Sequence, residues 1–158
     1  MTLVLLTGWW TFKKGRFSWS ATLGAGAVIT EAGNHPKVKG LVYVAAGAPD
    51  SGQSFDDWWK PYPPAPGASE IKPYGKGYVA LTRDGVRKHF VQDIPTDEAD
   101  IVFATQGPLA VKCFGDKISE AAWRSKPSWY IVATHDETIP PDVEARFGET
   151  DGCRDPGP

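Results

Sequence analysis

Two uninterrupted apolar runs dominate the hydropathy pattern, Gly40–Ala46 (GLVYVAA) and Ser128–Thr134 (SWYIVAT). Runs without polar alternation belong to strands buried on both faces, as in parallel sheets covered by helices. Both are therefore predicted to be inner strands. Ahead of the first, Ala25–Asn34 reads as a short helix, with Ala27, Val28 and Ile29 apolar and Glu31 and Asn34 polar. Gly33-Asn34 is a suitable C-terminal stop, because both residues tolerate left-handed backbone angles. Pro36 cannot continue a helix. Thr2–Thr7, rich in Leu and Val and ended by Gly8, is predicted as another buried strand. Trp9–Ser20 has no period and receives no element.

After Phe55 the pattern turns irregular. Phe55, Trp58, Trp59, Tyr62 and Tyr74 lie among prolines. Tyr78–Leu81 predicts a short strand, with Asp84-Gly85 as a possible hairpin tip. Asp97–Thr105 predicts a helix with Thr96 as its N-cap, and Pro108–Phe114 a second one. Pro141 can open a helix at its first position, with Val143 and Phe147 on one face. The pattern thus divides the chain into a poorly assigned segment 1–24, α/β pieces at 25–54 and 118–147, an aromatic, irregular and helical insertion over the sheet at 55–117, and a tail at 148–158. The tail has too little apolar surface to order itself.

The length of 158 residues fits one domain. A net charge of −2 with no basic cluster argues against a nucleic-acid partner. Cys113 and Cys153 match no metal spacing and are expected as reduced thiols. His35, His89 and His135 form no metal-ligating pair, so neither a metal nor a cofactor is expected. Lys13, Lys14 and Arg16 follow the first apolar run, whereas a secretory signal carries its charge before it. That run is also too short to cross a bilayer. The expectation is a cytoplasmic protein without a membrane partner.

Taken in order, Gly26–Gly52 (GAVITEAGNHPKVKGLVYVAAGAPDSG) and Ser128–Pro141 (SWYIVATHDETIPP) resemble the α/β-hydrolase superfamily. The nearest subgroup is the small bacterial esterase-like hydrolases, similar to plant methylesterases and hydroxynitrile lyases. The resemblance implies an α/β fold in which a partial parallel sheet is flanked by helices and topped by a cap. It also implies a serine nucleophile on a sharp strand-to-helix turn, G-x-S-x-G. The positions that match this turn are Ala21-Thr22-Leu23-Gly24-Ala25. Leu23 then occupies the nucleophile position and Gly24 the oxyanion backbone position. Leucine has no atom that can attack a carbonyl. Asp136 matches the triad acid, whose role is to hold and charge-stabilise an imidazole. Judged without the resemblance, Asp136 is a solvated loop residue capping the helix at Pro141. The family's histidine comes later in the chain, and no histidine follows Asp136 here. His35, His89 and His135 read as surface or packing residues. Ser18 and Ser20 are poor substitutes for the nucleophile, since neither falls on a turn of the needed kind.

The loss of pattern before Ala25 and after Phe147 leads to the expectation of a chain truncated at both ends, with two or three strands of the family sheet. Its function is then expected to be that of a hydrolase of small esters or related carbonyl compounds whose triad is incomplete, so that this chain is inactive. The alternatives are a non-catalytic module holding an apolar ester-like ligand, or an inactive fragment. Self-association through unpaired strand edges is also expected.

Overall fold

A computed structural model describes residues 9–13, 16–148 and 153–154, with side chains from residue 24 to 147. The strand predicted over Thr2–Thr7 lies outside the described residues.

The segment left unassigned forms a hairpin. β1 (Trp9–Lys13) pairs antiparallel with β2 (Arg16–Leu23). β2 leads through Gly24 into α1 (Ala25–Ala32), and α1 returns the chain to β3 (Val38–Ala46), which lies parallel to β2. Ser18 and Ser20 sit inside β2, opposite Thr11 and Trp9 of β1. The second apolar run forms β7 (Ser128–Ile131), shorter than predicted and parallel to β3, with Leu41 opposite Ser128 and Val44 opposite Ile131. Cys153–Arg154 forms β8, a two-residue parallel strand beside β7. The sheet order is therefore β1-β2-β3-β7-β8.

Two expectations change here. The edges predicted to be bare on GLVYVAA and SWYIVAT are paired: β3 lies between β2 and β7, and β7 has β8 on its other side. The tail predicted to lack order contributes that last strand. The backbone supplies the reason, because a ladder needs only N–H and C=O groups, so apolar patterning does not reveal it.

The core packs on one face of the sheet. Leu41 and Tyr43 of β3 are fully buried, together with Ile29 of α1 and Ala122 of the 3₁₀ turn Ala122–Arg124. Val42 and Val44 point the other way and are only half-buried, and Ile131 is 50% exposed. The prediction of burial on both faces therefore holds for one face only. Tyr43 and Tyr130 stack at 5.9 Å, and Phe147 meets Tyr43 edge-on at 5.3 Å and Trp123 at 5.0 Å. Such aromatic pairs add to the burial of their area. Buried Thr30 is satisfied: its hydroxyl donates to Gly26 O (2.8 Å) and bonds Tyr43 Oη (2.9 Å).

The segment 55–117, expected as the cap, folds into short helices, turns and a second small sheet. α2 (Phe55–Trp59) starts at Ser54 with a reciprocal capping box, Ser54 accepting from Asp57 N–H while Asp57 accepts from Ser54 N–H. A 3₁₀ turn, Pro66–Glu70, leads into a small antiparallel sheet of β4 (Ile71–Pro73), β5 (Tyr78–Leu81) and β6 (Leu109–Ala110). The hairpin tip is not Asp84-Gly85 as predicted. It lies between β4 and β5, where Gly75 (φ 68°) and Gly77 (φ 76°) take the left-handed region open to glycine. Asp84-Gly85 instead belong to the helical turn α3 (Arg83–Gly85), capped by the Thr82 hydroxyl, which accepts from Gly85 N–H at 2.9 Å. α3 continues into a π-helical turn, Val86–Phe90.

α4 spans Thr96–Thr105, so Thr96 is its first residue and Pro95 precedes it at the cap position, without a side-chain cap bond. Pro95 enters with extended backbone, and its carbonyl accepts Ala99 N–H at 2.9 Å. The helix predicted over Pro108–Phe114 divides into β6 and the short α5 (Lys112–Gly115). The chain returns to the core through α6 (Pro141–Gly148), opened by Pro141 as predicted.

Candidate active site

The carboxyl ends of β2, β3 and β7 lie at one edge of the sheet, where open α/β sheets place their ligands. Leu23 ends β2 opposite Ala46, the last residue of β3. Gly24 then turns the chain, and α1 begins at once. Strand, turn and helix thus follow one another directly, with Gly24 in the right-handed region at φ −65° and ψ −20°. The turn's tightness rests on Gly26. A Cβ there would run into the carbonyl oxygen of Gly47 and lie 3.0 Å from Ala46 Cβ. Glycine thus lets α1 close against the end of β3.

The loop after β7 carries Asp136. Its Oδ1 accepts from Thr138 N (2.6 Å), Thr138 Oγ1 (2.7 Å) and Ile139 N (2.9 Å). These bonds fold the loop back on itself ahead of Pro140-Pro141. Asp136 is thus half-buried and ordered by its own loop. The adjacent Thr138 is buried and lines the cavity under the cap.

That cavity has a volume of about 90 Å³. Phe55, Trp59, Phe90, Leu109 and Phe114 form much of its wall, and Gly24 and Thr138 reach it from the core. Gly24 at the end of β2 and Thr138 of the Asp136 loop, 114 residues apart in sequence, therefore line one apolar space. Gln106 also lines it, its amide tied to the backbone of Leu81 through Oε1 (3.1 Å from N) and Nε2 (3.0 Å to O).

The histidines separate. His35 is exposed at the far end of α1, where its Nδ1 accepts from Lys37 N–H at 3.3 Å. His135 is exposed and bonds the Thr134 hydroxyl. His89, expected as a packing or surface residue, pairs through Nδ1 with Glu137 Oε2 at 2.5 Å. This joins the π-helical turn of the cap to the Asp136 loop. Two more bonds do the same: Gly67 N–H donates to Glu137 O (2.7 Å), and Gln92 Nε2 donates to His135 O (2.8 Å). No local motif marks such a junction, because its partners are about 45 to 70 positions apart in sequence.

Sequence reasoning also passed over Glu144. An acidic residue in the first turn of a helix ordinarily answers the helix dipole from the surface. Here Glu144 lies between Val143 and Phe147 and is 0% exposed. Its Oε2 accepts Ala133 N–H at 2.8 Å, and Oε1 receives no hydrogen bond. Burial, reinforced by the neighbouring Asp136 carboxylate and opposed by the Ala133 N–H, pushes its carboxyl up to about 8.

Cys113 is a free, exposed thiol. Among the described residues, no group of three His, Cys, Asp or Glu side chains is placed to hold a metal ion, and no helix is long and apolar enough to cross a membrane.

The parallel strand-turn-helix unit, the flanking helices and the cavity at the carboxyl ends of the strands define an α/β-hydrolase-type fold. Residues 17–154 match the model of the alpha/beta hydrolase family, and the chain belongs to that family. Its fold is similar to that of a pyrethroid hydrolase from Sphingobium faniae JZ-2 (22% identity, TM-score 0.67, covering 92% of this chain and 60% of that one). It is also similar to polyneuridine aldehyde esterase (16% identity, TM-score 0.70, 92% and 63%). An extracellular α/β-hydrolase from a Paenibacillus species is a third (19% identity, TM-score 0.66, 88% and 62%). The chain thus spans about 60% of the length of these structures. No curated protein sequence matches it.

Proposed function

We propose that the chain is an esterase-type member of the family that holds a small apolar ester or related carbonyl compound in the cavity beneath the cap and does not turn it over by serine chemistry. One observation carries this reading: Leu23 ends the strand at the turn where the family places its nucleophile. Acyl transfer needs an activated oxygen or sulfur at that point. Gly24 holds the position whose backbone N–H faces a developing oxyanion in the family, and Asp136 holds the acid position. With leucine at the nucleophile position, those two positions have no covalent step to serve.

The binding half of the proposal is supported by the lining. A pocket walled by aromatic and aliphatic side chains with a few polar groups suits an uncharged, largely apolar ligand. The fold neighbours include a pyrethroid hydrolase and an aldehyde esterase by name, consistent with ester-like compounds as the ligand class. The test is a p-nitrophenyl acetate assay with an Asp136→Ala control, run beside a tryptophan-fluorescence titration with the same ester. Binding without turnover supports the proposal. Turnover that Asp136→Ala abolishes overturns it.

A further inference from the structure

Glu144 is a buried acid whose free oxygen no N–H or O–H reaches. A buried carboxyl oxygen with no donor is costly unless the group is protonated and donates instead. The nearby Asp136 carboxylate acts on it by its charge. Asp136 already takes three donors on Oδ1 from Thr138 and Ile139. Glu144 also grips the other end of the same loop through Ala133 N–H, and Asp136 N–H donates to Ala133 O at 3.0 Å. Ala133, Asp136 and Glu144 therefore form one hydrogen-bonded unit that joins the end of β7 to the first turn of α6.

We propose that Glu144 is a positioning residue for the acid loop: its neutral carboxyl holds one proton and donates it to the Asp136 carboxylate, so that the two acids share a single negative charge. The inference rests on reading Asp136 as the acid position. The proton belongs to the pair. Glu144 is the inner, fully buried member, and Asp136, half-exposed beside the cavity, is the charged one. The arrangement orients Asp136 from behind without neutralising it. Among the described residues, Asp136 from the loop is the charged side chain acting on Glu144, and Ala133 from the β7 side contributes a backbone N–H.

The experiment is a pH titration of the full chain with ¹³C-labelled Asp and Glu carboxyl carbons, in the wild type and in Asp136→Asn. In the wild type one glutamate carboxyl should lose its proton far above the ordinary carboxylate range, and Glu144→Gln should remove that signal. Removing the Asp136 charge should move this step toward acid. A Glu144 step that Asp136→Asn leaves in place overturns the proposal, because burial alone would then account for it. A Glu144 titrating with the surface glutamates also overturns it, whether the chain fails to pack or the pair fails to form. Thermal unfolding of wild type and Glu144→Gln from pH 5 to 9 gives a second reading. The wild type should lose stability as pH rises toward 8, and the glutamine variant should not. An identical pH dependence in both contradicts the proposal. Neither measurement involves turnover, so failure here is distinguishable from failure of the proposed function.

Discussion

At the scale of single residues, three side chains carry most of the site's meaning, and they differ in how visible they were. Leu23 and Asp136 stand out in the sequence because their segments resemble a family order. Glu144 does not, since nothing local distinguishes a buried helical glutamate from a solvated one. The three donors on Asp136 Oδ1 make it a structural residue of its loop as well as a candidate acid. Asp136→Ala leaves the Thr138 hydroxyl and two backbone N–H groups without that acceptor. It should lower stability by about 1–3 kcal/mol in chemical denaturation, the cost of unmade buried hydrogen bonds. A cost below a few tenths of a kcal/mol would mean that the loop does not need its carboxylate. The two interpretations of Asp136, loop-ordering residue and acid position, are compatible, because the same bonds that order the loop fix the carboxylate beside the cavity.

At the scale of elements, apolar patterning located the parts of the fold that depend on side-chain burial. The helix ahead of GLVYVAA, the strands in that run and in SWYIVAT, and the helix opened by Pro141 all follow from it. It failed where backbone geometry decides. The β1–β2 hairpin mixes Trp, Phe, Lys and Ser without a period, and β8 is two residues long. The true cap hairpin turns at Gly75 and Gly77, and Asp84-Gly85, a good turn pair in sequence, is taken up by a capped helical turn. The close approach of α1 to β3 is testable directly. Gly26→Ala places a methyl group against the Gly47 carbonyl and Ala46, and overpacking of this kind costs about 1–3 kcal/mol. A midpoint unchanged from wild type would show that α1 is looser than described. The segment 55–117 is tied to the Asp136 loop through Gly67, His89 and Gln92. His89→Ala removes the side-chain pair with Glu137 and should speed limited proteolysis within 60–110, leaving cleavage in α1 and β3 unchanged. Equal rates in variant and wild type would rule out His89 as a cap tether.

At the scale of the whole molecule, the sheet is better paired than the strand count from patterning implied. β3 and β7 each have two neighbours. Among the described residues β1 has only β2, and an open edge is a template for pairing with another chain. Val28 and Ile131 also expose apolar surface on the core. Self-association is therefore proposed to run through β1 and not through the central strands. Sedimentation velocity should show mass increasing with concentration; a concentration-independent monomer with a sharp thermal transition contradicts this. The protonated Glu144 bears on stability too. An unfolded glutamate ionises near 4.5 and the native one near 8, so the native state holds the extra proton between those values. Stability then falls as pH rises through that window, by up to about 1.4 kcal/mol per pH unit from this group. The most direct measurement of the central claim joins binding to chemistry in one sample: p-nitrophenyl acetate added to the folded chain, with tryptophan fluorescence and p-nitrophenol release followed together. The predicted result is saturable quenching that Trp59→Phe diminishes, with release no faster than in buffer. Catalysed release that disappears in Asp136→Ala would contradict it.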